Sequence, residues 1–169
     1  MKFTIEIAQD CEDWNLYKEI NTDLFASVLE EVIKRYPNFR IIRNIELSVL
    51  LTNDNRIRKL NHEFRNEDSA TNVLSFPDIE IDFRQILEFK PDTDYIYLGD
   101  VAFAFETMNN EAIERSIPFL NHFRHLLVHS ILHLLGYDHN TNEEARIMQN
   151  IEVDILEAFA IPSPYLHTN

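Results

Sequence analysis

The chain has 169 residues and a formal net charge of -14, with 45% apolar side chains, two glycines and one cysteine. That length fits one domain, 1–169, with a sizeable core. The lone Cys11 excludes an internal disulfide or a thiolate zinc site within the chain, and the acidic balance argues against general phosphate binding.

No apolar run approaches a membrane span. The opening MKFTIEIAQD alternates polar and apolar residues where a secretion signal would place a charged and then an apolar segment, so a cytoplasmic protein is expected. Residues 3–7 read as an edge-like strand, and Leu24 to Tyr36 recur at helical spacing before Pro37. Ile45 to Leu51 alternate as a second strand, and Ile57, Leu60 and Phe64 mark a helix ending near Arg65. A short strand, Asn72 to Phe76, is closed by Pro77, and a longer one, Ile96 to Phe105, carries Gly99 and Asp100, with an acidic, exposed loop between them. A weak helix at 106–115 precedes a long one, Pro118 to Leu135, that is apolar on nearly every face. Thr141 and Glu144 have capping-box spacing ahead of a last helix running to Phe159, and a loose tail begins near 161. The expected fold class is α+β: a mixed sheet of about four strands under about five helices, with the long helix buried centrally.

Charge is unevenly spread. Residues 34–65 hold eight basic side chains, from Lys34 through Arg56, Arg58 and Lys59 to Arg65, against three acids. Such a segment either attracts phosphate locally or forms solvated faces.

The long helix also carries His122, His125, His129 and His133, which at 3.6 residues per turn fall within about 80° of one another. Four buried imidazoles on one face need several polar partners, and a metal ion accounts for them together. Two histidines at i and i+4 can share one ion, which fits His129 with His133 and equally His125 with His129. Gly136 favours the first pair. A left-handed C-cap there turns the chain back, so that Tyr137, Asp138 and His139 run beside the last helical turn and His139 becomes the third ligand. The spacing is like that of metzincin peptidases, whose general-base glutamate follows the first histidine; here Ser130 stands in that place and cannot serve.

HSILHLLGYDH, together with NHEFR (Asn61 to Arg65), TNVLSFP (Thr71 to Pro77) and LGDV (Leu98 to Val101), resembles the YbeY family of rRNA-maturation endoribonucleases over about residues 45–158. The resemblance implies a zinc-dependent endoribonuclease of single-stranded RNA in the cytoplasm. It would act in small-subunit rRNA maturation and ribosome quality control, with RNA and the small ribosomal subunit as partners. It carries the zinc ligands onto His129, His133 and His139 and the cleft arginine onto Arg65. Ser130 departs from the family's usual glycine, adding a small hydroxyl without removing a ligand.

Three neutral imidazoles and an open position would let zinc lower the pKa of a bound water to roughly 7, and nickel or cobalt also suits such a set. Arg65 can meet two phosphoryl oxygens with its planar fork, or make a plain surface ion pair. No glutamate base is evident, which leaves Asp138, the substrate's 2′-hydroxyl or the metal itself to handle the proton. Asp138 equally suits a turn cap or an orienting contact to a ligand histidine. Asp100 is expected to be hydrogen-bonded or near the site, with a structural role favoured, and Thr71 and Ser75 can lend hydroxyls to the cleft. The rival reading is a ribosome-assembly protein with a structural zinc closed by Asp138 or His125; a metallopeptidase-like hydrolase is a further alternative.

Overall fold

A computed structural model describes residues 1–165. The strands are β1 (Lys2–Gln9), β2 (Asn44–Thr52), β3 (Val73–Pro77) and β4 (Tyr95–Ala104). The helices are α1 (Thr22–Ile33), α2 (Asp54–Arg65), α3 (Phe105–Glu114), α4 (Phe119–Leu134) and α5 (Asn142–Glu157). The sheet order is β1-β2-β4-β3, parallel except that β3 runs antiparallel to β4. The architecture is therefore the expected α+β arrangement. No helix among the described residues is long and apolar enough to cross a membrane.

Alternation in β2 turns Ile45, Leu47, Val49 and Leu51 to one face, where they meet Phe25, Val28 and Leu29 of α1 and Phe123, Leu127 and Ile131 of α4 in one core. Burying these side chains drives the layering, at about 25 cal/mol per Å² of apolar surface. On the opposite face α2 sets Ile57 against Leu74, Ala102 and Ala104. Helix starts are fixed by side-chain caps, Asn21 on α1, Asn53 on α2 and Thr141 on α5. The Thr141 box is only half formed, because Glu144 gives its carboxylate to Arg84 at 2.7 Å.

Gly99 allows β4 to bulge where its register with β2 shifts. Its φ is +138°, and a Cβ there would lie 2.2 Å from the Phe76 carbonyl oxygen. The bulge turns Asp100 outward, where the Tyr97 hydroxyl donates to it at 2.9 Å.

Two expectations are corrected, and one open alternative is resolved. The segment between β3 and β4 is not simply an exposed loop: a 3-10 turn at Phe83–Glu88 buries Ile86, and Phe83 stacks on Tyr137 at 5.1 Å. The tail is anchored through residue 165, since Ile161 is buried in the core cluster and the Tyr165 hydroxyl bonds to Glu152; residues 166–169 lie outside the described residues. The basic segment forms no single patch, because Arg35, Arg43, Arg56 and Arg58 pair with Asp154, Asp94, Asp10 and Asp68 on separate elements.

Candidate metal centre

The long helix α4 is buried almost all round, and of its buried imidazoles His122 and His125 each have a partner at Nε2 and none at Nδ1. Ser130, wholly buried, donates its hydroxyl to the Leu127 carbonyl at 2.8 Å, which satisfies the group without disturbing the helix. The helix ends in a reversal with two cap bonds, Tyr137 N–H to the Leu132 carbonyl and Gly136 N–H to the His133 carbonyl, both 3.0 Å. Gly136 has φ +94°, and a Cβ there would fall 1.9 Å from the Ile81 carbonyl oxygen. Both the backbone conformation and the close approach of the 78–83 segment demand glycine.

This turn brings His139 back onto α4. His129, His133 and His139 each offer a ring nitrogen, and these atoms all lie within 4.8 Å of one another. His129 Nε2 and His133 Nε2 are 3.0 Å apart. The Nδ1–H of His133 donates to the Tyr137 carbonyl at 2.9 Å, and that of His129 to the Glu152 carboxylate at 2.5 Å. With both ring protons committed behind the site, two lone pairs face each other across the gap. Burial, with His129 close by, holds His133 down at about 4, so its own ring stays neutral near pH 7. Lone pairs in this arrangement fit a cation, and a trio of imidazoles fits a borderline metal such as zinc.

His125 does not join the trio. Its Nε2 turns to the Tyr165 hydroxyl, 3.0 Å, and to Glu152, 3.4 Å. Nor does Asp138: one oxygen accepts from the His139 backbone N–H at 2.8 Å and the other from Asn140 Nδ2 at 2.9 Å, so the carboxylate caps the turn that presents His139.

The trio opens on a cleft of about 790 Å³ between the end of α4 and β3. Thr71, Ser75 and Arg65 line it, as does Asp138, whereas Asp100 lies in a separate groove on the far face of the sheet. Arg65 reaches the cleft from the last turn of α2, donates to the Ser75 carbonyl at 2.6 Å and stacks over Phe76 at 5.7 Å. Among the described residues it has no carboxylate partner.

Sequence reasoning missed Glu152. It is fully buried on α5, and burial alone would raise its pKa, but hydrogen bonds from His125, His129 and Tyr165 hold it at about 2. The available signal was an acid on the apolar stripe of Met148 and Ile155.

A family model described as Endoribonuclease YbeY matches residues 10–160. A curated relative of that name from Rhodopseudomonas palustris (strain ATCC BAA-98 / CGA009) is 48% identical over 120 residues, covering 71% of this chain. The match spans 60% of that relative's own length. The solution structure of TM1509 from Thermotoga maritima aligns with 97% of this chain and 100% of its own, at TM-score 0.53 and 23% identity, a likeness of fold. With the model spanning every element from Asp10 to Ala160, the chain belongs to the Endoribonuclease YbeY family.

Proposed function

We propose that this protein is a metal-dependent endoribonuclease that cuts single-stranded RNA, with zinc held by His129, His133 and His139. On the strength of the family, its substrate is rRNA of the small ribosomal subunit, cut in the cytoplasm during maturation and quality control. The observation that carries the reading is the pair of Nε2 atoms 3.0 Å apart, each on a ring whose Nδ1 meets an oxygen acceptor, at the edge of a cleft lined by Arg65.

A zinc ion held there supplies Lewis acidity and a solvent nucleophile near neutral pH. The protein's own residues do the rest. The Tyr137 carbonyl and Glu152 accept the Nδ1–H of His133 and His129 and keep those two rings aimed. Arg65, stacked on Phe76 with no acid to neutralise it among the described residues, faces the phosphodiester with a spare edge of its guanidinium, where negative charge builds during attack. Asp138 sets His139 through the turn, and with both oxygens bonded there it is a weak candidate for the proton.

Two rival readings fare worse. Closing the shell of a structural zinc requires a fourth protein ligand, yet Asp138 is spent on its own turn and His125 on Glu152 and Tyr165. A peptidase needs a carboxylate after the first histidine and a sheet edge free to pair with a peptide. Here Ser130 is buried with its hydroxyl on a carbonyl, and Arg65 covers the Ser75 carbonyl of edge strand β3.

The test is digestion of a labelled single-stranded RNA and its duplex by zinc-loaded protein, with and without chelator, beside His129→Ala. Cleavage of the single strand that stops with chelator and in the variant, with the variant's circular dichroism unchanged, is expected. Intact RNA, or cleavage that survives removal of the metal, would overturn the proposal.

A further inference from the structure

We propose that Glu152 is a positioning residue of the metal centre: from inside the protein it fixes which nitrogen of His129 carries the proton and sets anionic charge behind that ligand, while Tyr165 and His125 lock the carboxylate. The inference rests on the reading of His129 as a metal ligand.

Glu152 stands on the buried stripe of α5 between Met148 and Ile155, with no exposure to solvent. An apolar residue there would stabilise the fold at least as well, because removing a carboxylate from water costs several kcal/mol. The carboxylate is instead surrounded by donors. Oε1 takes the Nδ1–H of His129 at 2.5 Å, and Oε2 takes the Tyr165 hydroxyl and, more distantly, His125 Nε2 at 3.4 Å. One oxygen is thus reserved for the ligand and the other is held by two groups that never reach the metal.

The consequence falls on His129. An imidazole with no partner on Nδ1 can hold its proton on either nitrogen, and half of those states would point an N–H at the cation. Glu152 removes that freedom and makes the ring a stronger donor, since a carboxylate polarises it more than the neutral carbonyl behind His133 does. Three imidazoles contribute no charge to a dication, so the buried anion behind His129 supplies compensation from inside the protein. Tyr165 arrives because the chain reverses after α5, at Ala160 with φ +56°, and returns to the helix. The C-terminal segment therefore belongs to the metal centre although it touches no ligand atom.

The experiment measures zinc dissociation constants by chelator competition, the visible spectrum of the cobalt-loaded protein and the melting of the metal-free protein. Wild type is set beside Glu152→Gln, Tyr165→Phe and His129→Ala. Glu152→Gln keeps the shape and removes the charge; zinc affinity is expected to fall by about 10–100-fold, with a changed cobalt spectrum. Tyr165→Phe should show a smaller loss of the same sign. If Glu152→Gln melts differently without metal but binds zinc and cobalt as wild type does, the residue is structural only and the inference fails. Should that variant not fold, Tyr165→Phe decides, and an unchanged zinc constant overturns the proposal. If His129→Ala binds zinc as tightly as wild type, the ligand assignment itself is wrong, an outcome distinct from failure at Glu152 alone.

Discussion

The hydroxyls of Tyr36 and Tyr137 meet at 2.9 Å, tying the chain just beyond α1 to the loop that delivers His139. Both rings are buried, and burial followed by this bond pushes the Tyr36 hydroxyl well above its ordinary value. Tyr36→Phe strands the Tyr137 hydroxyl, and a buried group left without a partner costs about 1–3 kcal/mol. The double variant with Tyr137→Phe removes both polar atoms and should recover part of that loss. Denaturant unfolding of the two single variants and the double checks this; strict additivity would show that the hydroxyls do not interact.

Arg65→Ala should cut RNA turnover by about 10²-fold, the usual loss when one donor to a transition state is removed. Its stability cost should stay near 1 kcal/mol, because only the bond to the Ser75 carbonyl and the stacking on Phe76 are lost. Arg65→Lys keeps the charge without the planar fork and should fall between. Kinetics on a single-stranded RNA, paired with thermal melts, separates the effects. An unchanged rate for Arg65→Ala would remove it from the mechanism.

The grouping of His129, His133 and His139 was readable in the sequence because two local rules act together: helical periodicity stacks His129 on His133, and the glycine at 136 lets the chain reverse. Alternation likewise exposed β1 and β2. Glu152 was not readable in the same way. Its meaning depends on α5 packing against α4, a contact no local pattern encodes, and one acid among the charges of α5 looks like solvated surface until Met148 and Ile155 are seen to be buried beside it. The basic segment scatters for the converse reason: residues close in sequence are carried to different faces by β2 and α2, where Arg43, Arg56 and Arg58 pair with separate acids. The tail reads as loose because Pro162 and Pro164 break any pattern, yet one buried isoleucine and one tyrosine hydroxyl suffice to hold it.

Without metal, the protein should lose stability as pH falls from about 6.5 to 4. His133 sits at about 4 when folded, against an ordinary value of 6.5, chiefly because it is buried. Between those values the unfolded chain binds a proton that the folded chain refuses, so acid favours unfolding. Buried His122 is shifted in the same direction. Glu152, held at about 2, extends the loss below the ordinary carboxylate value of 4.5. Added zinc should raise the melting temperature near pH 7 and do little at pH 4, since protonated ligands cannot bind it. Chelation near pH 7 should lower the melt modestly without abolishing it, because the core between the sheet, α1 and α4 does not depend on the ion. A flat pH profile, or collapse of the fold on chelation, would contradict this.

Ala160 occupies a left-handed position, φ +56°, at the end of α5. There the N–H groups of Ile161 and Ala160 bond back to the carbonyls of Leu156 and Glu157, both at 3.0 Å, repeating the reversal that Gly136 makes after α4. The two sites differ in one respect. At 136 the 78–83 backbone presses against the turn, so Gly136→Ala should unfold the loop that carries His139, whereas at 160 a methyl group is already accommodated and only the backbone strain remains. That strain costs a non-glycine residue roughly 1–2 kcal/mol, offset in part by the greater freedom glycine has when unfolded. Ala160→Gly should therefore stabilise the protein by about 0.5–1 kcal/mol, a rise of roughly 1–4 °C in melting temperature for a chain of this length. Zinc affinity should not change, because the turn already places Tyr165 on Glu152. A lower melting temperature for Ala160→Gly would mean that the alanine methyl contributes packing that outweighs its backbone strain.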